Sequence, residues 1–178
     1  MIEYLLSFAL GLIVKIVDSS IEHGLKLKTY IRYSLSIIYG ALLAYLLRII
    51  FLPEFFLGIL LGVIFAKKID SKEHFSAIIS FVIFSSLIFK PVISNWQILM
   101  VAMVVCYAEE WVNDNIVDKK KIKGFMLKVL SIRPLLEITA AILSVAYSNI
   151  SVFLLLLLFD LGYLASKKIF SKNVHDMK

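Results

Sequence analysis

Charge is what this sequence has least of. Asp, Glu, Lys and Arg together make up 18% of its 178 residues, where a soluble domain usually carries about a quarter. The shortage excludes an ordinary water-soluble globule. A single cysteine, Cys106, excludes a disulfide framework and, with no ligating partner nearby in sequence, a zinc centre. Seven glycines and three prolines, with no run rich in Gly, Pro or Ser, exclude fibrous and disordered classes. No GxGxxG, Walker A, HExxH or GxSxG pattern occurs in usable context, so no nucleotide, zinc-protease or serine-hydrolase chemistry is indicated. The start, Met1-Ile2-Glu3-Tyr4, carries an acid, lacks a basic n-region, and no small-residue cleavage site closes the first apolar run. That run is expected to stay as a helix.

Apolar residues are present in excess: 61% of the chain, with a mean hydropathy of +0.92. The expected fold class is an all-α, polytopic membrane helix bundle, a single integral membrane domain over 1–178. Seven apolar stretches lie near 2–17, 33–51, 55–66, 75–89, 97–108, 135–148 and 150–165. Several fall short of the ~20 residues that cross ~30 Å of hydrocarbon. Pro53 makes the second and third either two joined spans or one bent element, so the count is about seven, or six.

The basic residues set a direction. Lys26, Lys28, Arg32, Lys67, Lys68, Lys72, Lys119, Lys120, Lys121, Lys123, Lys128, Arg133, Lys167, Lys168, Lys172 and Lys178 fall on one side, sixteen against only Arg48 and Lys90 on the other. The positive-inside rule then puts the N-terminus outside and the C-terminus in the cytoplasm of a multi-pass cell-membrane protein. It also accounts for the net charge of +6 without nucleic acid, which is not expected as a partner. Residues 119–132 mix lysines with apolar side chains, the pattern of an amphipathic helix in the inner interface or of a stop-transfer cluster.

One internal similarity stands out. Gly11, Ile13, Ser20, Glu22 and His23 recur as Gly62, Ile64, Ser71, Glu73 and His74, which reads as a parallel repeat of helical hairpins. The two histidines, at the lipid–water boundary, read as incidental surface residues.

The acids carry the chemistry. Glu109, Glu110, Glu137 and Asp160 lie within or at the edge of apolar stretches, in the inner half of the bilayer, where an ionisable group is costly and marks a substrate or ion path. Continuing the fifth stretch as a helix puts Glu110, Asp114 and Asp118 on one face. Such an oxygen cluster suits Mg²⁺ or Mn²⁺, with Lys119, Lys120, Lys121 and Arg133 neutralising a phosphate. The competing reading is capping: Ser19…Glu22, Asp70…Glu73 and Asn115…Asp118 each place a small polar residue three before an acid.

Asn113-Asp114-Asn115-Ile116-Val117-Asp118, followed by Arg133-Pro134-Leu135, resembles the Asp-rich motif (broadly NDxxDxxxD) of UbiA-type intramembrane prenyltransferases. The resemblance covers residues 113–135 and implies Mg²⁺ and a prenyl diphosphate. It departs from that motif in three ways. The second Asp falls one position late, a lysine run replaces the third, and the chain is much shorter than that family.

Three functions follow as expectations. The first is a divalent-cation-dependent enzyme acting on a lipid phosphate or diphosphate at the cytoplasmic face. The second is a small cation or solute transporter using the acids of the inner half-membrane. The third is a non-catalytic subunit of a membrane complex.

Overall fold

Apolar runs become helices, and Pro53, Ser71, Asn95 and Pro134 stand at the starts of four of them. The computed structural model describes residues 1–22, 27–117, 119, 124, 130 and 134–175. Among the described residues there are seven α-helices and no strand. They are α1 (Ile2–Glu22), α2 (Thr29–Ile49), α3 (Pro53–Phe65), α4 (Lys72–Phe84), α5 (Trp96–Val112), α6 (Pro134–Ala146) and α7 (Ser151–His175). Two π-helical turns, Ser85–Phe89 and Asn113–Val117, prolong α4 and α5. Pro53 occupies the first turn of α3, where its missing N–H is no loss. Asn95 caps α5 by accepting from the backbone N–H groups of Gln97 and Ile98.

Among the described residues, three helices are long and apolar enough to cross a membrane: Ile2–Ile21, Thr29–Ile49 and Lys72–Phe89. This is the make-up of a membrane protein. Pro53–Phe65, Pro134–Ala146 and Ser151–Ser166 are apolar but shorter; a helix of 13 residues rises only ~20 Å. Of the seven stretches expected to span, three are therefore both long and apolar enough by themselves among the described residues. Long and short helices alike expose apolar side chains, with Leu5, Leu87, Ile142 and Val145 between 63% and 81% exposed.

The contacts fall into two compact units, residues 1–50, 70–91 and 154–178 in the first, 51–69 and 92–153 in the second. In the first, α2 and α4 run parallel: Arg32 meets Glu73, Ser80 donates to the Ile37 carbonyl at 2.8 Å, and the Tyr45 and Phe89 rings lie 5.2 Å apart. Helix α1 runs parallel to α7, with Ser7 donating to the Leu155 carbonyl at 2.7 Å. Small residues permit this approach. A Cβ on Gly11 would sit 2.0 Å from the Phe159 carbonyl oxygen, and one on Gly162 2.1 Å from that of Phe8. Lipid gives apolar helices little reason to associate, so close backbone packing has to supply the attraction.

In the second unit α3 and α5 are likewise parallel. Glu54 faces Ser94 and Asn95 at one end, and Gly58 and Gly62 pack on Ala102 and Cys106 along the middle. Helix α6 is antiparallel to α5, since Leu135 bonds Glu109 while Tyr147 reaches Asn95. The first residues of α7 close this unit, where Phe153 donates its N–H to Ser144 Oγ at 3.1 Å.

Candidate functional site

The first unit holds a chain of polar side chains drawn from all four of its helices. Asp18, one turn from the end of α1, accepts at Oδ1 from His74 Nε2 at 2.9 Å and at Oδ2 from the Tyr163 hydroxyl at 2.9 Å. The other ring nitrogen of His74, Nδ1, lies 2.7 Å from Tyr39 Oη. Lys15 Nζ donates to Tyr163 Oη at 3.0 Å, stands 3.8 Å from Asp18 Oδ2 and sits 4.6 Å from the Tyr163 ring centre. The order is therefore Tyr39, His74, Asp18, Tyr163, Lys15.

Local sequence explains each position. Lys15 and Asp18 are three apart on α1 and so share a face. Ser71 caps α4, accepting from the His74 backbone N–H at 3.2 Å, which fixes His74 in the first turn. Arg32 then takes Glu73 at 3.2 Å. The group is largely shielded, with side-chain exposures of 7% for Lys15, 14% for His74 and 18% for Asp18.

Its electrostatics balance. The Lys15 ammonium offsets the Asp18 carboxylate, the condition under which such groups persist in a membrane helix bundle. An ionised Asp18 can only accept, so Nε2 carries a proton, and in the neutral ring Nδ1 is left to accept from the Tyr39 hydroxyl. This is the arrangement of an oriented base: imidazole on a hydroxyl in front, carboxylate behind.

The second unit contains a different cluster. Lys68, just past α3, bonds Asp114 Oδ1 and stands 3.6 Å from Glu110 Oε2. Glu109 Oε1 accepts from the Leu135 N–H at 2.7 Å, holding the start of α6. Glu109 and Glu110 are both 4% exposed. Lys119 Nζ donates to Asn115 Oδ1 at 2.8 Å.

The expected site residues divide accordingly. Glu110 and Asp114 do come together, through Lys68. Among the described residues no three His, Cys, Asp or Glu side chains gather as a metal site. Asp118, Lys120, Lys121, Arg133, His23 and all of 119–132 except 119, 124 and 130 lie outside the described residues. Glu109, Glu110 and Glu137 belong to the second unit, Asp160 to the first.

The caps differ from their expected register. Ser19 lies inside α1, which continues to Glu22, and α4 is capped by Ser71 rather than Asp70. Glu73 is engaged by Arg32, and His74 pairs with Asp18 rather than with Asp70 one turn before it.

Sequence reasoning passed over Tyr39 and Tyr163 and read His74 as incidental. The one available signal was Lys15, a lysine inside an apolar run with an aspartate three residues on.

No protein-family model, curated protein or solved structure matches this chain.

Proposed function

We propose that the chain is a multi-pass protein of the cell membrane, with about seven crossings, the N-terminus outside and the C-terminus in the cytoplasm. In this reading it is an enzyme working at the cytoplasmic face on a lipid phosphate or diphosphate, by acid–base chemistry at His74. Alternating crossings are supported by the parallel pairs α2 with α4 and α3 with α5, each separated in sequence by one intervening helix. The same pairing suits a duplicated hairpin. Helices α3 and α6, of 13 residues each, would cross where the bilayer thins.

The observation that carries the chemical reading is His74 held between Asp18 and Tyr39. Nδ1, through the Tyr39 hydroxyl that it holds, would take the proton of a hydroxyl whose oxygen bonds to the substrate phosphorus, and would return it to the oxygen that departs as the original P–O bond breaks. Asp18 orients the ring, and Lys15 and Tyr163 hold Asp18. The sequence adds Mg²⁺ or Mn²⁺ at Glu110 and Asp114. Those two carboxylates already bear on Lys68, so no step is routed through a metal.

The shielded Lys15–Asp18 pair favours a second reading, a carrier that couples a cation or solute to protons.

The test uses full-length protein reconstituted in vesicles containing phospholipids and a polyprenyl diphosphate, followed by ³¹P NMR with Mg²⁺, with Mn²⁺ and with EDTA. A new phosphorus resonance is expected, forming roughly a hundredfold more slowly or worse with His74→Gln. An unchanged spectrum, or an equal rate with the variant, removes the enzymatic reading. Ion flux abolished by Lys15→Met with a static phosphorus spectrum would establish the carrier instead.

A further inference from the structure

The second unit carries a cavity that the acid–base reading does not use, and the inference from it holds whether or not His74 does chemistry. Helix α3 ends at Phe65, and the turn that closes it sets the Lys67 N–H on the Ile64 carbonyl and the Lys68 N–H on that of Val63. Helix α5 and its π turn run on to Val117. Past the end of α3 this leaves a cavity of about 260 Å³, with Phe65 and Lys67 among its lining residues from one segment and Tyr107, Trp111, Asp114 and Asn115 from the other.

The charge of that lining cancels, one ammonium against one carboxylate. Lys67 makes no ion pair among the described residues, and Asp114, though Lys68 engages its Oδ1, keeps a side chain 42% exposed. A balanced lining gives an anion no advantage by charge. It suits a ligand that carries both signs. Three aromatic rings in the same wall favour the cationic end, because the faces of Trp, Tyr and Phe attract an ammonium, quaternary or primary.

The apolar surface leading away from the cavity says what the rest of the ligand is. Trp96, Met100, Val104, Tyr107 and Trp111 follow one another at helical spacing along α5, each between 46% and 62% exposed. They form a continuous apolar track of ~22 Å, which ends in the polar cavity. A soluble zwitterion has no use for such a track, whereas an acyl chain does.

We infer that the cavity seats the headgroup of a zwitterionic phospholipid, its phosphate on Lys67 and its ammonium against Tyr107, Trp111 and Asp114, with an acyl chain laid along the α5 track. Trp111 is a built-in reporter, because the chain has only two tryptophans. Full-length Trp96→Phe protein is placed in vesicles of equal parts phosphatidylcholine and phosphatidylglycerol, and one lipid or the other is replaced by its brominated form. Brominated phosphatidylcholine should quench Trp111 about threefold more than brominated phosphatidylglycerol does.

In that background Tyr107→Leu, which keeps apolar bulk but removes the ring, should bring the ratio to about one, and Tyr107→Phe should preserve it. Lys67→Gln should raise the ratio, since Asp114 then repels an anionic headgroup unopposed. The complementary Trp111→Phe protein, reporting from Trp96, should show no preference. Equal quenching by both lipids, a ratio that survives Tyr107→Leu or falls with Lys67→Gln, or the same ratio at Trp96 would overturn the inference. So would loss of the preference in tens of millimolar glycerophosphocholine, since the cavity would then take the free headgroup rather than the lipid.

Discussion

His74 Nε2 lies 2.9 Å from Asp18 Oδ1, joining the first turn of α4 to the last turns of α1 across 56 positions of sequence. Everything proposed for the first unit depends on that bond and on the hydroxyl and ammonium groups arranged around it.

If Lys15 and Asp18 neutralise one another, their substitutions must couple. Lys15→Met alone leaves a shielded carboxylate without its ammonium and should cost about 3 kcal/mol. Adding Asp18→Asn should recover part of that loss, with a coupling of order 1–3 kcal/mol. Thermal unfolding of the purified protein in one detergent, across the four members of the cycle, gives the number. Strict additivity would mean that the two charges do not see each other.

Close packing of α1 on α7 should make Gly11 intolerant of even a methyl group. Its Cβ would stand 2.0 Å from a carbonyl oxygen, whereas one on Gly124 meets nothing within 4 Å. Gly11→Ala should destabilise by about 3 kcal/mol or more, because two backbones must separate. Gly124→Ala should cost about 1–2 kcal/mol from backbone strain alone, its φ being +68°. Comparing melting temperatures of the two variants checks the difference, and equal shifts would count against the packing described.

Lys68 should behave as the internal counter-ion of the second unit. Lys68→Met takes the ammonium away from Asp114 and Glu110 and should lower stability by about 1–2 kcal/mol, since Lys68 and Asp114 are partly exposed. Lys68→Met with Glu110→Gln should be milder than Lys68→Met alone. Chemical denaturation followed by Trp111 fluorescence would read both.

The helices were legible in the sequence because hydrophobicity alone writes them. Their ends were read less well. Residues 97–108 were expected as a span, yet the helix runs from Trp96 to Val112 and continues as a π turn to Val117. Glu109, Glu110 and Asp114 are admitted to a helical end because Leu135 and Lys68 satisfy them, and those partners lie 26 and 42 or 46 positions away. The first unit's chain was hidden for the same reason. His74 and Glu73 are adjacent and diverge on a helix, and the one local partner that spacing offers the histidine, Asp70, is not the one it takes. Only the parallel packing of α2 on α4 and of α1 on α7 brings Tyr39, Asp18 and Tyr163 to it.

Orientation has its own check. Lys28 and Lys90 lie on opposite sides in the proposed topology. In a Cys106→Ser background, Lys90→Cys in intact cells should react with a membrane-impermeant maleimide, and Lys28→Cys only after permeabilisation. The reverse pattern would invert the topology and move the proposed chemistry to the outer face.

The central claim is that one imidazole bridges a carboxylate and a tyrosine hydroxyl, and ¹⁵N NMR of histidine-labelled protein tests it most directly. With His23→Gln and His175→Gln in place, His74 is the only histidine left, since the chain has three. Asp18→Asn should shift chiefly the Nε2 resonance and Tyr39→Phe chiefly Nδ1. A spectrum in which neither substitution moves either nitrogen would contradict the bridge, and with it the proposed acid–base centre.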